Sequence, residues 1–408
     1  MQAPITIEYR IKHLRESATV STQKRLTGLK RTLGLLAGSL AIGLSMPVLF
    51  PARAIAQTTP FTDLGIDQLN IFGDSVSDAG NIFALSQGLF PPSPPYAGRL
   101  SNGPVWVEAI ASELGLTPQL SATALPPVLA GITPPPADGI NYAVAGSLSS
   151  DINVGGPPLP GLQQQIAAFT ALSQSGAPPS ENALQVLLAG ANDYNEAVLT
   201  ATPTTDLSAL VEQVTNNIVG ATSALFNAGA KNVLVSNLPL LGFQPFADSV
   251  DVFNPEGSNI LTALANEHNL LLDQKLTALA STLNPSSATI TQFDLEGLTS
   301  DIIADPGAFG FDNAEDSCLI NFQIDGVFDG VCENPDKFFF WDDVHPTTVG
   351  HSVIAQAALQ ALADANGDTP ALPTPGGGAT DVPEPTSVLA LLAVGGVLVG
   401  GFGRKRAA

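Results

Sequence analysis

Ser75 stands in Gly73-Asp74-Ser75-Val76-Ser77-Asp78-Ala79-Gly80-Asn81, directly after the apolar run 68–72. A short apolar run ending in glycine reads as a buried strand. A serine just past such a strand, at a turn into a helix, has an exposed hydroxyl. That hydroxyl is a weak nucleophile until a neighbouring base takes its proton. Four histidines are present, at 13, 268, 345 and 351, and the first lies in a basic leader. His345, in Trp341-Asp342-Asp343-Val344-His345-Pro346-Thr347, follows another apolar stretch and is the candidate base. An imidazole in this role needs a carboxylate to fix its tautomer and stabilise its cation. Asp342, three residues earlier, can be presented by the same turn, and Asp343 is the competitor. These groups suit acyl transfer.

The oxyanion of an acyl-transfer intermediate would find few cations here. Fifteen Lys and Arg face 37 Asp and Glu, a formal net charge of −22. Eight of the basic residues precede residue 57 and three stand at 404–406, which leaves Arg99, Lys231, Lys275 and Lys337 for the body. Neutral dipoles must therefore do the stabilising. The candidates are the N–H of Ser75, the N–H of Gly146 and the side-chain amide of Asn192, each at a turn. So acidic a body repels phosphate backbones, so no nucleic-acid partner is expected. Two cysteines exclude zinc sites built on three or four thiolates. A divalent-metal hydrolase using Asp74, Asp342, Asp343 and His345 is an alternative.

The elements that must position these groups alternate. Runs 68–72, 184–189, 232–236 and 288–293 read as strands, and 337–341 as a short aromatic stretch. Segments 104–114, 161–172, 206–226, 260–283 and 347–362 read as helices, the third capped by Asp206 and stopped by Gly229. Apolar strands separated by amphipathic helices predict an α/β fold, a three-layer αβα sandwich around a central parallel sheet. One domain is expected over 62–365. The Pro-rich stretch 117–136 reads as an irregular loop, and with 87–95 and 246–259 is expected to line the pocket. Asp74 and Asp193 read as structural, His268 as a solvated surface residue and His351 as a helix-face residue. Trp106 and residues 338–341 read as core.

Both ends read as addresses. A basic run at 24–31, an apolar run at 32–50 and Ala54-Ile55-Ala56 follow the order of a cleaved secretory leader, 1–56. A Pro/Gly linker at 366–381 leads to Val382-Pro383-Glu384-Pro385, the apolar run 386–402 and Arg404-Lys405-Arg406. This end, 382–408, resembles the PEP-CTERM sorting signal, which implies a short membrane helix and a sorting protease of the exosortase type that cuts near the Pro-Glu-Pro. The expected location is secreted or at the cell surface, with transient anchorage through that helix. Outside the cytoplasm thiols oxidise, so Cys318 and Cys332 are expected to pair and tie down the acidic insertion 312–336.

Four turns together resemble the signature blocks of the GDSL/SGNH hydrolase family: G-D-S-x-S-D-x-G-N at 73–81, N-Y-A-V-x-G at 141–146, G-x-N-D at 190–193 and D-x-x-H-P-T at 342–347. Residues 98–106 also resemble the family's G-R-x-S-N-G-P-V-W segment. Val76 stands where Leu is usual, and Ala145 where Gly is frequent. The resemblance covers nearly the whole body and is nearest the secreted bacterial lipase/esterase branch. It implies a flavodoxin-like fold, a carboxylic ester hydrolase acting on small-molecule or lipid esters, and neither metal nor cofactor. The implied catalytic set is Ser75, Asp342 and His345, with Ser75, Gly146 and Asn192 as oxyanion hole. A catalytically inactive surface or matrix protein on the same fold is the remaining alternative.

Overall fold

Asn70, Ile71 and Phe72 have side chains that alternate across a sheet, and both sides of their strand are covered. The structure, a computed structural model, describes residues 61–367 apart from 201–205, 253, 285–287 and 323–325. In chain order the elements are β1 (Gln68–Gly73), α1 (Asn81–Leu85), α2 (Trp106–Glu113), β2 (Gln119–Leu120), α3 (Ser121–Leu129), β3 (Ile140–Asn141), α4 (Leu162–Gln174), β4 (Ala183–Leu188), α5 (Ala191–Thr200) and α6 (Leu207–Asn227). They continue with β5 (Asn232–Ser236), α7 (Pro245–Asp251), α8 (Gly257–Thr282), β6 (Thr289–Phe293), α9 (Leu295–Ala304), β7 (Asn313–Ser317), β8 (Leu319–Ile320), β9 (Gly330–Val331), β10 (Phe338–Phe340) and α10 (Thr348–Asn366).

The main sheet is parallel, in the order β2-β3-β1-β4-β5-β6. On one face α4, α6 and α8 pack side by side, with Phe169 of α4 edge-on to Phe72. On the other, α2 packs against α10, and fully buried Trp106 stacks on Phe293 of β6. This is the αβα sandwich expected from the alternating pattern. After β1 the chain builds β2 and β3 on one side of it and then crosses to build β4, β5 and β6 on the other, so β1 lies at the topological switch, where ligands bind in such sheets. The turns after β3, β1 and β4 therefore stand side by side, and they carry Gly146, Ser75 and Asn192. Gly73 makes the junction possible. Its φ is +145°, and a Cβ there would lie 2.0 Å from the Leu188 carbonyl oxygen, a contact no side chain survives.

Asp206 caps α6 as its sequence suggests, accepting from the Ala209 N–H. Two expectations away from the polar turns fail. Segment 117–136 is not wholly irregular: it holds β2 and α3, with Pro126 and Pro127 inside the helix. The prolines remove local bonds, but the Asn81 side-chain oxygen accepts from Ala122 N–H and the Ser121 hydroxyl and holds the helix start from outside. His268 is not solvated but fully buried on α8, within 2.8 Å of the Tyr194 hydroxyl through Nδ1. Burial, then the charge of Lys275, pushes its pKa down to about 3.

Cys318 and Cys332 are bonded and close the β8–β9 hairpin. Closing so short a loop contributes about 3 kcal/mol by restricting the unfolded chain. The hairpin is also fastened to the strand before the acidic turn: Cys318 N–H donates to Phe340 O at 3.0 Å and Leu319 N–H to Trp341 O at 2.9 Å. Among the described residues no helix is long and apolar enough to cross a membrane. The leader, the apolar run 386–402 and the linker beyond Gly367 lie outside the described residues.

Candidate active site

Ser75 sits in a tight turn that Ser77 N–H closes onto Asp74 O at 3.1 Å. It is not a helix N-terminus, as its sequence suggests, because α1 begins six residues later at Asn81. The cap falls to Asp78 instead. Its carboxylate accepts from the N–H groups of Gly80, Asn81 and Ile82, and also from Ala145 N–H at 2.9 Å. One buried carboxylate thus ties the Ser75 turn to the Gly146 turn. Asn141 adds a second tie, donating to Ser77 O at 2.8 Å. Gln165 adds a third, donating to Gly73 O at 2.8 Å and to the Ser147 hydroxyl at 2.9 Å. Neither Asp78 nor Gln165 stood out as more than a cap or a helix residue in the sequence. The signal for Gln165 was a polar residue on the apolar stripe of α4, with Leu162, Ile166 and Phe169.

Ser75 Oγ lies 2.8 Å from His345 Nε2, across 270 residues of chain. His345 Nδ1 lies 2.8 and 2.9 Å from the two oxygens of Asp342. Asp342 Oδ1 also accepts from the N–H groups of Val344 and His345, so the turn itself orients the carboxylate. Its other oxygen accepts from the buried Tyr96 hydroxyl at 2.8 Å. Asp343 points elsewhere and accepts from Ser249 at 3.1 Å. Segment 98–106 grips this turn from the far side: Ser101 donates to Pro346 O at 2.9 Å, and Thr348 N–H donates to the Asn102 side-chain oxygen at 2.7 Å.

The charges follow the geometry. Burial pulls His345 down, but the charge and hydrogen bond of Asp342, with the charge of Asp74, outweigh it and hold the imidazole above its ordinary value. Burial pushes Asp342 up, but His345 and two backbone N–H groups prevail and hold it low. Asp74 is raised to about 6 by burial, partly offset by the Val76 N–H and His345. Asp74 bonds to that N–H at 3.1 Å and Asp193 to Ser149, so both act within the scaffold. His351 is buried in α10, and burial lowers it to about 3. Among the described residues no three His, Cys, Asp or Glu side chains converge as metal ligands would.

The N–H groups of Ser75 and Gly146 meet no acceptor among the described residues. Gly146 has φ +80°, and a Cβ there would press within 2.8 Å of Asn153 Oδ1 and Val154 Cγ2. Asn192, at the start of α5, donates to Ser147 O at 3.1 Å, which orients its amide and leaves a second N–H. Ser75 and Asn192 open on one narrow slot of about 40 Å³. Its lining is mostly apolar, with Leu238, Leu240, Leu295, Ile303, Phe339 and Phe340 beside the polar Gln244 and Thr299. None of its lining comes from 87–95, 117–136 or 246–259. The walls come instead from the segment after β5, from α9 and from β10, because these converge at the carboxyl end of the sheet.

Residues 69–358 match the GDSL-like lipase/acylhydrolase family, and residues 381–407 match the PEP-CTERM protein-sorting motif, which indicates sorting out of the cytoplasm. The chain is similar to a phosphatidylcholine-sterol acyltransferase of Aeromonas hydrophila, 28% identical across 71% of this chain and 88% of that one. It is similar to the thermolabile hemolysin of Vibrio parahaemolyticus, 28% identical across 72% of this chain and 64% of that one. A GDSL esterase/lipase of Arabidopsis thaliana is 27% identical across 70% of this chain and 85% of that one. A family match that runs from β1 into the last helix takes in all four polar turns, and with it the chain belongs to the GDSL-like lipase/acylhydrolase family, as a carboxylic ester hydrolase.

Proposed function

We propose that Ser75 is the nucleophile, His345 the general base and then acid, and Asp342 the carboxylate that orients and stabilises it, in a secreted hydrolase of lipid or other small esters. The observation that carries this reading is the continuous relay from Ser75 Oγ to His345 Nε2 at 2.8 Å and from His345 Nδ1 to Asp342 at 2.8 Å. The Ser75 proton passes to His345 Nε2 as Oγ bonds the ester carbonyl carbon. The oxyanion takes N–H groups from Ser75, Gly146 and the Asn192 side chain, each worth about 3 kcal/mol of barrier. The alkoxide then leaves with the proton from His345. Water repeats the sequence on the acyl-enzyme, its proton going to His345 and returning to Ser75 Oγ as the acid departs.

A slot with walls so apolar favours an acyl chain over a bare sugar. A single water needs a cavity of roughly 10–15 Å³, so about 40 Å³ suits a short linear chain. The name of one bacterial relative, a phosphatidylcholine-sterol acyltransferase, supports lipid esters as the substrate class. The leader at 1–56 and the terminal segment 382–408 would export the body, 62–365, and hold it at a membrane by a short helix until an exosortase-type protease acts.

A fluorophosphonate is expected to label the chain at a single serine, Ser75, found by peptide mass spectrometry, with no labelling of Ser75→Ala. Labelling elsewhere, or none with hydrolysis intact, would reject the reading. The base must be neutral to act, so kcat/KM should fall as pH drops through the His345 pKa. That acid limb should lie above the ordinary imidazole value of 6.5, and a midpoint well below it in a pH–rate profile would contradict the assignment.

A further inference from the structure

We propose that Tyr96 is a positioning residue for this relay, its phenol holding the outer oxygen of Asp342 so that the carboxylate stays aligned on His345. The inference rests on the Ser75–His345–Asp342 reading. The phenol lies 2.8 Å from Asp342 Oδ2, donated from a loop 246 residues away. Asp342 is buried, so each oxygen must find its donors inside the protein. Oδ1 has the N–H groups of Val344 and His345 besides the imidazole. Oδ2 has the Tyr96 hydroxyl and the same imidazole at 2.9 Å. Without the phenol, Oδ2 depends on His345 alone, and nothing on that side fixes the carboxylate plane.

Tyr96 is itself held for this. Its ring packs edge-on against Trp341, the residue before Asp342, with centroids 6.4 Å apart. It is buried in a small cluster with Cys318, Leu319 and Trp341, separate from the main core. Its neighbour Ala97 donates to Ser101 O at 3.1 Å, and Ser101 in turn donates to Pro346 O. The disulfide hairpin therefore backs Tyr96, and Tyr96 backs Asp342.

Removing the hydroxyl leaves the carboxylate less well solvated and a stronger attractor of protons. That raises the basicity of His345 and makes Asp342 easier to protonate, and both move the acid limb to higher pH. Asp342 is faced by Tyr96, His345, Asp343 and His351, and His345 by Asp342, Asp74 and His351. Asp74 and Asp343 titrate near 6, so whole profiles are compared rather than single points.

The test is Tyr96→Phe in the full chain, assayed on a short-chain nitrophenyl ester across pH. Expected are a kcat lower by about tenfold, as for loss of a hydrogen bond to a charged group, with KM within about twofold. The acid limb should rise by about half a pH unit or more. In an Asp342→Asn background the same change should have no further effect on kcat, because there is no carboxylate left to align. Phe322→Leu trims the same apolar cluster without touching the hydroxyl, and should lower the melting temperature while leaving the profile in place. An unmoved acid limb with kcat within twofold, or an equal loss in the Asp342→Asn background, would overturn the proposal and leave Tyr96 as cluster packing. Turnover surviving in Ser75→Ala would instead remove the reading beneath it.

Discussion

Ser75→Ala is expected to lower kcat on a short-chain ester by a factor on the order of 10⁴ to 10⁶, with the melting temperature almost unchanged. The hydroxyl meets His345 Nε2 and no other partner among the described residues, so its loss strips the proposed nucleophile and little else. Ser75 is nearly buried, and a methyl in its place leaves the Asp74–Ser77 turn closed by the same backbone bond. Residual turnover should come from water attacking an ester held by the oxyanion donors. Steady-state kinetics at known protein concentration would measure it, and activity above about 1% of the parent would mean that the bond-forming atom is elsewhere.

Asp342→Asn comes next, with an expected loss on the order of 10³ to 10⁴ in kcat near neutral pH. The N–H groups of Val344 and His345 both point at Oδ1, so the amide oxygen must take that place. The new NH2 then stands where Oδ2 was, 2.9 Å from His345 Nδ1 and beside the Tyr96 hydroxyl. That donor favours the tautomer protonated on Nε2, which cannot accept from Ser75. The charge that stabilises the imidazolium is lost too. The linked stability runs the same way: the depressed carboxylate contributes stability above its ordinary pKa, lost as pH falls through its lower folded value. The variant should therefore lose part of the parent's advantage at neutral pH, read from melting temperature against pH. A variant that kept a tenth of the parent kcat would point to a different partner for His345.

The strands and the four polar turns were legible for one reason. A central strand such as β4 is buried along its whole length, so it is written as an apolar run, and the polar turn at its end stands out. Asp342 could be preferred over Asp343 because one turn can present a carboxylate and an imidazole three residues apart. What escaped were partners supplied from a distance. His268 follows Leu261, Leu264 and Ala265 on the apolar stripe of α8, a spacing that marks it as buried, but its hydroxyl partner Tyr194 sits on another helix. Helix α3 reads as a Pro-rich loop because Asn81, forty residues earlier, holds its start. The slot walls escape a sequence reading because Leu240, Ile303 and Phe339 come from the segment after β5, from α9 and from β10, far apart along the chain.

Strand β10 has two duties. Phe339 and Phe340 wall the slot, and the chain runs straight on from Phe340 through Asp342 to His345. Chain-length preference and base placement are thus mechanically linked on that side: any reshaping of the aromatic wall displaces the imidazole as well. Divergence in acyl selectivity should accordingly accumulate at Leu238, Leu240 and Ile303, which line the slot from elements that carry none of Ser75, Asp342 and His345.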